Sequence, residues 1–187
     1  MNSLFKSCKV FLLLILIQQT ATAQADHIGE IKALQAHPRI LMLKGEEANI
    51  QLSISKDSVW ANTQQAIINE SDRLLSVAPV QRIQIGRRLL DKSREALRRL
   101  FFLSYAYRTT ADKKYLDRAE KEMLAIAGFS DWNPSHFLDV AEMTMAVAIG
   151  YDWLYNDLSA ASKSTIKEAI LKKGLEPSLE SKYNNWL

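Results

Sequence analysis

The chemistry-bearing residues concentrate in one run, Asp131 to Tyr155, DWNPSHFLDVAEMTMAVAIGYDWLY. Trp132, Tyr151, Trp153 and Tyr155 offer flat apolar faces with polar tips, the kind of surface that stacks on a sugar ring. A helix beginning at Pro134 would present unpaired backbone N–H groups and the positive end of its dipole, which favour a carboxylate or sulfate. Asn133 stands just before that turn, and His136, Asp139 and Glu142 step three apart, along one slowly turning stripe. Each also has a plainer role: acidic residues in a first turn stabilise helices, and aromatics at helix ends pack. A second cluster closes the chain at Tyr183-Asn184-Asn185-Trp186-Leu187, two amides beside an aromatic where a frayed tail is otherwise expected. Neither cluster contains a Ser-His-Asp set, a glycine-rich phosphate loop or a zinc motif. His27, His37 and His136 are too scattered for a histidine metal site, so neither metal nor cofactor is expected.

The elements that must position these residues read as helices. Four prolines, six glycines and almost no β-branched alternation argue against a sheet-rich fold. Residues 24–57 read as an irregular lead-in, with Pro38 disfavouring helix at His37. A weak helical stripe follows over Ser58 to Leu75, ended near Ala78-Pro79. The next helix is placed at Ile83 to Tyr107, with Leu89, Leu90, Ala96, Leu97, Leu100, Phe101, Ser104 and Tyr105 on its apolar face. Its Arg87-Arg88 and Arg98-Arg99 pairs read as a solvated face, or alternatively as a basic groove. Asp112 should cap a third helix that Gly128 stops, and Asn133 should cap a fourth with Pro134 at its first position. From Phe137 to Ile149 that fourth helix is apolar almost all round, which predicts neighbours on every side. Ser159 should cap the last, with Gly174 its stop.

Ala106-Tyr107 and Gly150-Tyr151 each end an apolar helix, 44 residues apart, and each is followed by a charged amphipathic helix ending at Gly128 or Gly174. Two similar hairpins, buried helix then surface helix, predict a helical array with an inner and an outer layer. The expected class is all-α, built from antiparallel helical hairpins over residues 58–187.

The N-terminus supplies the compartment. Lys6 and Lys9 precede the unbroken apolar run Val10 to Ile17, and Ala21-Thr22-Ala23 follows, the order of a secretory signal peptide over residues 1–23. The run falls short of the roughly 20 apolar residues a membrane span requires. That segment holds two lysines and no acidic residue, so its removal lowers the formal net charge of the 187-residue chain from +3 to +1; the mature chain is close to neutral, which gives a nucleic-acid partner no support. The single cysteine, Cys8, lies there too, and its removal leaves no thiol for a disulfide or thiolate metal site. An exported protein, periplasmic or extracellular, with no membrane attachment after cleavage, is expected.

The run DWNPSHFLDVAEMTMAVAIGYDWLY resembles a segment of the heparinase II/III-like bacterial polysaccharide lyases. Tyr183-Asn184-Asn185-Trp186 resembles the Asn-rich stretch ahead of that family's catalytic centre, and HPRILM and FFLSYAYRTTADKKYLDRAEKEML fit its N-terminal region. The resemblance implies the N-terminal part of an incomplete α/α toroid. It also implies cleavage of an acidic, uronate-containing polysaccharide by β-elimination, in which a base takes the proton α to the carboxylate. By resemblance, Asn184 and Asn185 lie near the carboxylate pocket as catalytic residues, while Trp132, His136 and Trp153 line the sugar cleft. Asn133, Asp139, Glu142, Tyr151 and Trp186 complete the expected substrate-binding set. The family's tyrosine and histidine acid and base find no match in this chain, which therefore reads as an N-terminal fragment inactive by itself. Two other readings stay open. One is a non-catalytic helical-repeat module binding glycan or protein; the other is an α/α-barrel hydrolase using two of Asp139, Glu142 and Asp152.

Overall fold

The structure, a computed structural model, describes residues 35–183. The expected signal peptide and the site residues Asn184, Asn185 and Trp186 lie outside the described residues. Among those described there are six α-helices and no strand: α1 (Glu46–Lys56), α2 (Ser58–Leu75), α3 (Leu90–Thr110), α4 (Lys113–Ala127), α5 (Phe137–Leu154) and α6 (Ala160–Ala169). The all-α expectation holds. A π-helical segment, Ile170–Leu175, continues α6, and two short 3₁₀ turns follow.

Local signals placed several helix ends correctly. The Asp112 carboxylate accepts from Lys114 N at 3.1 Å and Ser159 Oγ from Ser162 N at 3.1 Å, while Asp57, not singled out from sequence, caps α2 by accepting from Val59 N at 2.7 Å. Gly128 ends α4 as expected. The two hairpins are also present. α3 and α5 share the most extensive contact of the fold, α4 packs on α3, α6 on α4, and the π segment on α5. Between the hairpins the backbone comes close, and a Cβ on Gly150 would lie 2.8 Å from Met123 Sδ and 3.4 Å from a Leu100 methyl. Leu74, Leu100, Leu103, Met123, Ile126, Trp132, Met143, Leu154 and Ile166 are the large side chains sealed in this core.

Five expectations need correction. The stretch read as an irregular lead-in contains α1, which begins with Glu46 and Glu47, ends with Lys56 and buries none of its residues. The helix expected from Ile83 begins at Leu90, because Gly86 takes φ 60° and Ile85 and Arg88 bond each other across a turn at 2.9 and 3.1 Å. Asn133 does not cap α5: its φ is 64°, its amide is engaged elsewhere, and the helix starts after His136. Gly174 does not stop the last helix but lies inside the π segment. A Cβ there would sit 2.6 Å from Thr144 Oγ1 and 3.1 Å from the Trp132 ring, so glycine permits the close approach to α5. Finally, α5 is not covered on all sides, since Leu138 and Met145 are 50% and 47% exposed and Ala141 lies between them on the same stripe.

The arginine pairs are also more than a solvated face. Arg99 and Arg118 are buried around Glu122, which has no exposed surface. Glu122 accepts from Val80 N at 2.7 Å and Arg99 Nη1 at 3.2 Å, and forms an ion pair with Arg118. Arg99 also donates to Ala78 O at 2.7 Å, and Arg118 to Leu74 O at 3.0 Å and Val77 O at 3.1 Å. The non-helical stretch after α2 thus finds its carbonyl partners on α3 and α4, as buried backbone groups must.

Candidate functional site

The Asp131–Tyr155 run divides into two structural roles. Its first half is sealed. Trp132 has no exposed surface and donates its indole N–H to Ile126 O at 3.3 Å, so it has no face left for a sugar. Asn133 Nδ2 donates to Arg87 O at 2.8 Å and to Asp139 Oδ2 at 2.7 Å. Asp139, also fully buried, accepts from Leu89 N at 2.6 Å and from Arg88, and so caps α3 from another helix. These two residues are brought together, but to join the hairpins rather than to meet a ligand. His136 precedes α5, and its Nδ1 is buried with no hydrogen-bond partner among the described residues. Glu142 points outward to Arg94, with both carboxylate oxygens 3.2 Å from its Nε.

The second half fastens the chain ahead of α1. Asp152 accepts from His37 Nδ1 at 2.5 Å, Arg39 N at 2.7 Å and Ile40 N at 3.1 Å. Trp153 Nε1 donates to Ile40 O at 2.9 Å, Asn156 Nδ2 to His37 O at 3.2 Å, and the His37 ring stacks on Tyr155 at 4.0 Å. Tyr151 meets the edges of both those rings. With three donors on one buried carboxylate, Asp152 is an anchor and not a free base. None of Asp139, Glu142 and Asp152 lines the groove described next, so they do not form an opposed carboxylate pair across it.

That fastening builds a groove of about 470 Å³, within the range typical of small-molecule sites. Its floor is Phe101 and Tyr105 of α3 with Trp153 of α5; its walls are Leu41 and Met42 of the lead-in, Ile50 of α1 and Trp60 of α2. The Phe101 and Trp153 rings meet edge to face at 5.6 Å, while Trp60 is 51% exposed at the rim. Trp153 itself is only 8% exposed, leaving Trp60 as the larger platform. Polar atoms come from Glu46, Asn49 and Ser53, one turn apart on α1. Arg108 holds the arrangement from behind. It lies 5.4 Å from the centre of the Trp153 ring, pairs with Glu47, and donates to the carbonyls of Met42 and Leu43. The Tyr105 hydroxyl donates to Gln64 Oε1 at 2.6 Å, and burial pushes its phenol above the usual range. It is therefore a hydrogen-bonding group at neutral pH and not a base.

Among the described residues expected from sequence, only Trp153 lines this groove. Trp60, Phe101, Tyr105, Asn49 and Ile50 were not singled out as binding residues. Two signals pointed to them: a tryptophan on a helix whose stripe was weak, and an aromatic pair at Phe101 and Tyr105 one turn apart. No group of three His, Cys, Asp or Glu side chains able to hold a metal occurs among the described residues. No described helix is long and apolar enough to cross a membrane. No protein-family profile matches the chain, and no curated protein matches it significantly.

Proposed function

We propose that this chain forms the N-terminal helical-hairpin part of an exported polysaccharide lyase acting on uronate-containing glycans, and that its own task is to hold a sugar of the polymer. The observation that supports this is the groove at Trp60. An exposed indole faces an apolar aromatic floor, with an amide, a hydroxyl and a carboxylate along one edge. Stacked rings with a few convergent polar groups suit a sugar, which has one apolar C–H face and a polar rim. The lyase assignment rests on the resemblance of the Asp131–Tyr155 and Tyr183–Trp186 segments.

Two measurements test the two parts. Titrating the protein with heparin-derived and other uronate oligosaccharides should change tryptophan fluorescence in a saturable way. Trp60→Ala should abolish the change while leaving helix content intact; an unaltered titration in that variant removes the groove from consideration. For the reaction, the protein recovered from its own cells is incubated with the polymer. Chain ends absorbing in the ultraviolet identify β-elimination. New reducing ends without that absorbance identify a hydrolase, and neither product leaves the helical-repeat binding module as the better reading.

A further inference from the structure

We propose that a second cleft, where the lead-in meets α5, α6 and the π segment, binds a small amphiphile with one anionic head and an aliphatic tail. This goes beyond the glycan reading and does not rest on it. The cleft measures about 280 Å³ and shares no residue with the Trp60 groove. Its size is at the lower end for a small-molecule site. Ala148 of α5, Ile170 and Leu171 of the π segment and Ile40 of the lead-in form the apolar part of its lining. Leu171 and Ile40 are 41% and 40% exposed, so apolar surface there is left in water. An aliphatic tail laid on these side chains would remove that surface from solvent. A sugar would instead set hydroxyls against hydrocarbon, and a bare inorganic anion would cover nothing.

Charge selects the head. Two cations line the cleft, Arg39 of the lead-in and Lys167 of α6, both exposed. The Lys167 ammonium makes no ion pair or hydrogen bond with any described residue. Arg39 acts on the neighbouring Tyr151 phenol: burial and Tyr155 push that phenol up, and Arg39 pulls it partly back. Tyr151 is therefore an uncharged hydroxyl at neutral pH. The one carboxylate of the lining, Asp152, is taken up by His37 and by the backbone N–H groups of Arg39 and Ile40. Glu168, next along α6, lines a different cleft together with Lys172, whose charge it feels. An anionic head thus meets two cations and no open carboxylate in the lining. The Trp60 groove is the reverse, holding Glu46 and no lysine or arginine. Beside apolar side chains the attraction exceeds its value in open water, and a cationic head is repelled by the same amount.

Four probes separate the outcomes: octanoate, octanol, octyltrimethylammonium and acetate, each titrated into the protein at low salt and followed by methyl NMR. Octanoate should shift the methyls of Ile40, Ala148, Ile170 and Leu171 and bind about tenfold tighter than octanol. Added salt should weaken octanoate alone, and acetate should leave these methyls in place. Ala148→Phe, which fills the cleft, should abolish the shifts while the core methyls of Leu100 and Ile126 keep their positions. Lys167→Glu changes only an exposed side chain, so it tests the head even if Ala148→Phe fails to fold. It should weaken octanoate about fivefold and leave octanol unchanged. Trp60→Ala should alter neither titration. Octanol or octyltrimethylammonium binding as tightly as octanoate overturns the inference, because the head is then not read. Acetate matching octanoate overturns it too, because the tail is then not read. Shifts confined to Met42 and Ile50 assign the ligand to the Trp60 groove and sink the proposal, as does a folded Ala148→Phe variant that still binds octanoate.

Discussion

Glu122 is the most demanding single position in the molecule. Its carboxylate has no exposed surface, holds Val80 N, and joins Arg99 and Arg118, each of which also carries carbonyls of the stretch after α2. Removing it would strand two buried guanidinium groups, and breaking such a buried pair by deleting one partner is worth about 3–5 kcal/mol. Glu122→Ala should lower the denaturant midpoint accordingly, with the stretch 76–89 the first to lose hydrogen-exchange protection. Asp139 makes a parallel case, because its carboxylate caps α3 across 50 residues of sequence. Legibility fails at this scale for one physical reason. A buried acid that caps a distant helix and an exposed one that binds ligand have the same residue type and the same local spacing. His136, Asp139 and Glu142 looked alike in sequence, yet one is an N-terminal neighbour of α5, one a sealed cap and one a surface ion pair. Asn133 looked like a helix cap and is instead drawn away by Arg87 O and Asp139.

Among the helices, the ends were legible wherever the cap is local, as at Asp112, Gly128 and Ser159. The start of α3 was not, because Gly86 and the Ile85–Arg88 turn compete with a continuing apolar pattern. Nor was α1, none of whose residues is fully buried and whose Ile50 packs against a cluster drawn from distant segments; tertiary partners hold it in place. Chief among these is the Glu47–Arg108 pair. Burial works to raise the Glu47 pKa, but hydrogen bonds from backbone N–H groups and from Arg108 win, holding it below its ordinary 4.5. A carboxylate depressed in the folded state contributes stability that is fully present above its unfolded value. That contribution is lost as pH falls from about 4.5 through the lower folded value. Acid should therefore loosen α1 and the groove ahead of the hairpins. Exchange at α1 amides, compared between pH 6 and pH 3 in the natural chain and in Glu47→Gln, checks this; the variant should show a smaller difference between the two pH values. Between the hairpins, Gly150→Ala should cost about 1–3 kcal/mol, since its methyl would land against Met123 Sδ and force a repacking of the α4–α5 contact. A thermal melt showing no loss would mean that Met123 swings aside freely.

For the molecule as a whole, the class and the two hairpins were readable because burial follows helical period and the turns carry their own signals. The groove was not. It draws on four separated segments, the lead-in, α1, α2 and α3, together with Trp153, and no local spacing joins Met42 to Trp60 to Tyr105. Its existence also depends on bonds that reach across the chain, His37 and Arg39 to Asp152 and Ile40 to Trp153. Those bonds tie the lead-in, as a strap, to α5, beside the Arg108 contacts at Met42 and Leu43. A sugar that binds only the tied form adds its binding free energy to the tying, by RT ln(1 + [L]/Kd). Occupancy and closure are then two readings of one equilibrium. Cleavage by a protease within residues 35–57 should slow in proportion as the groove fills, which makes that segment a reporter of its own ligand.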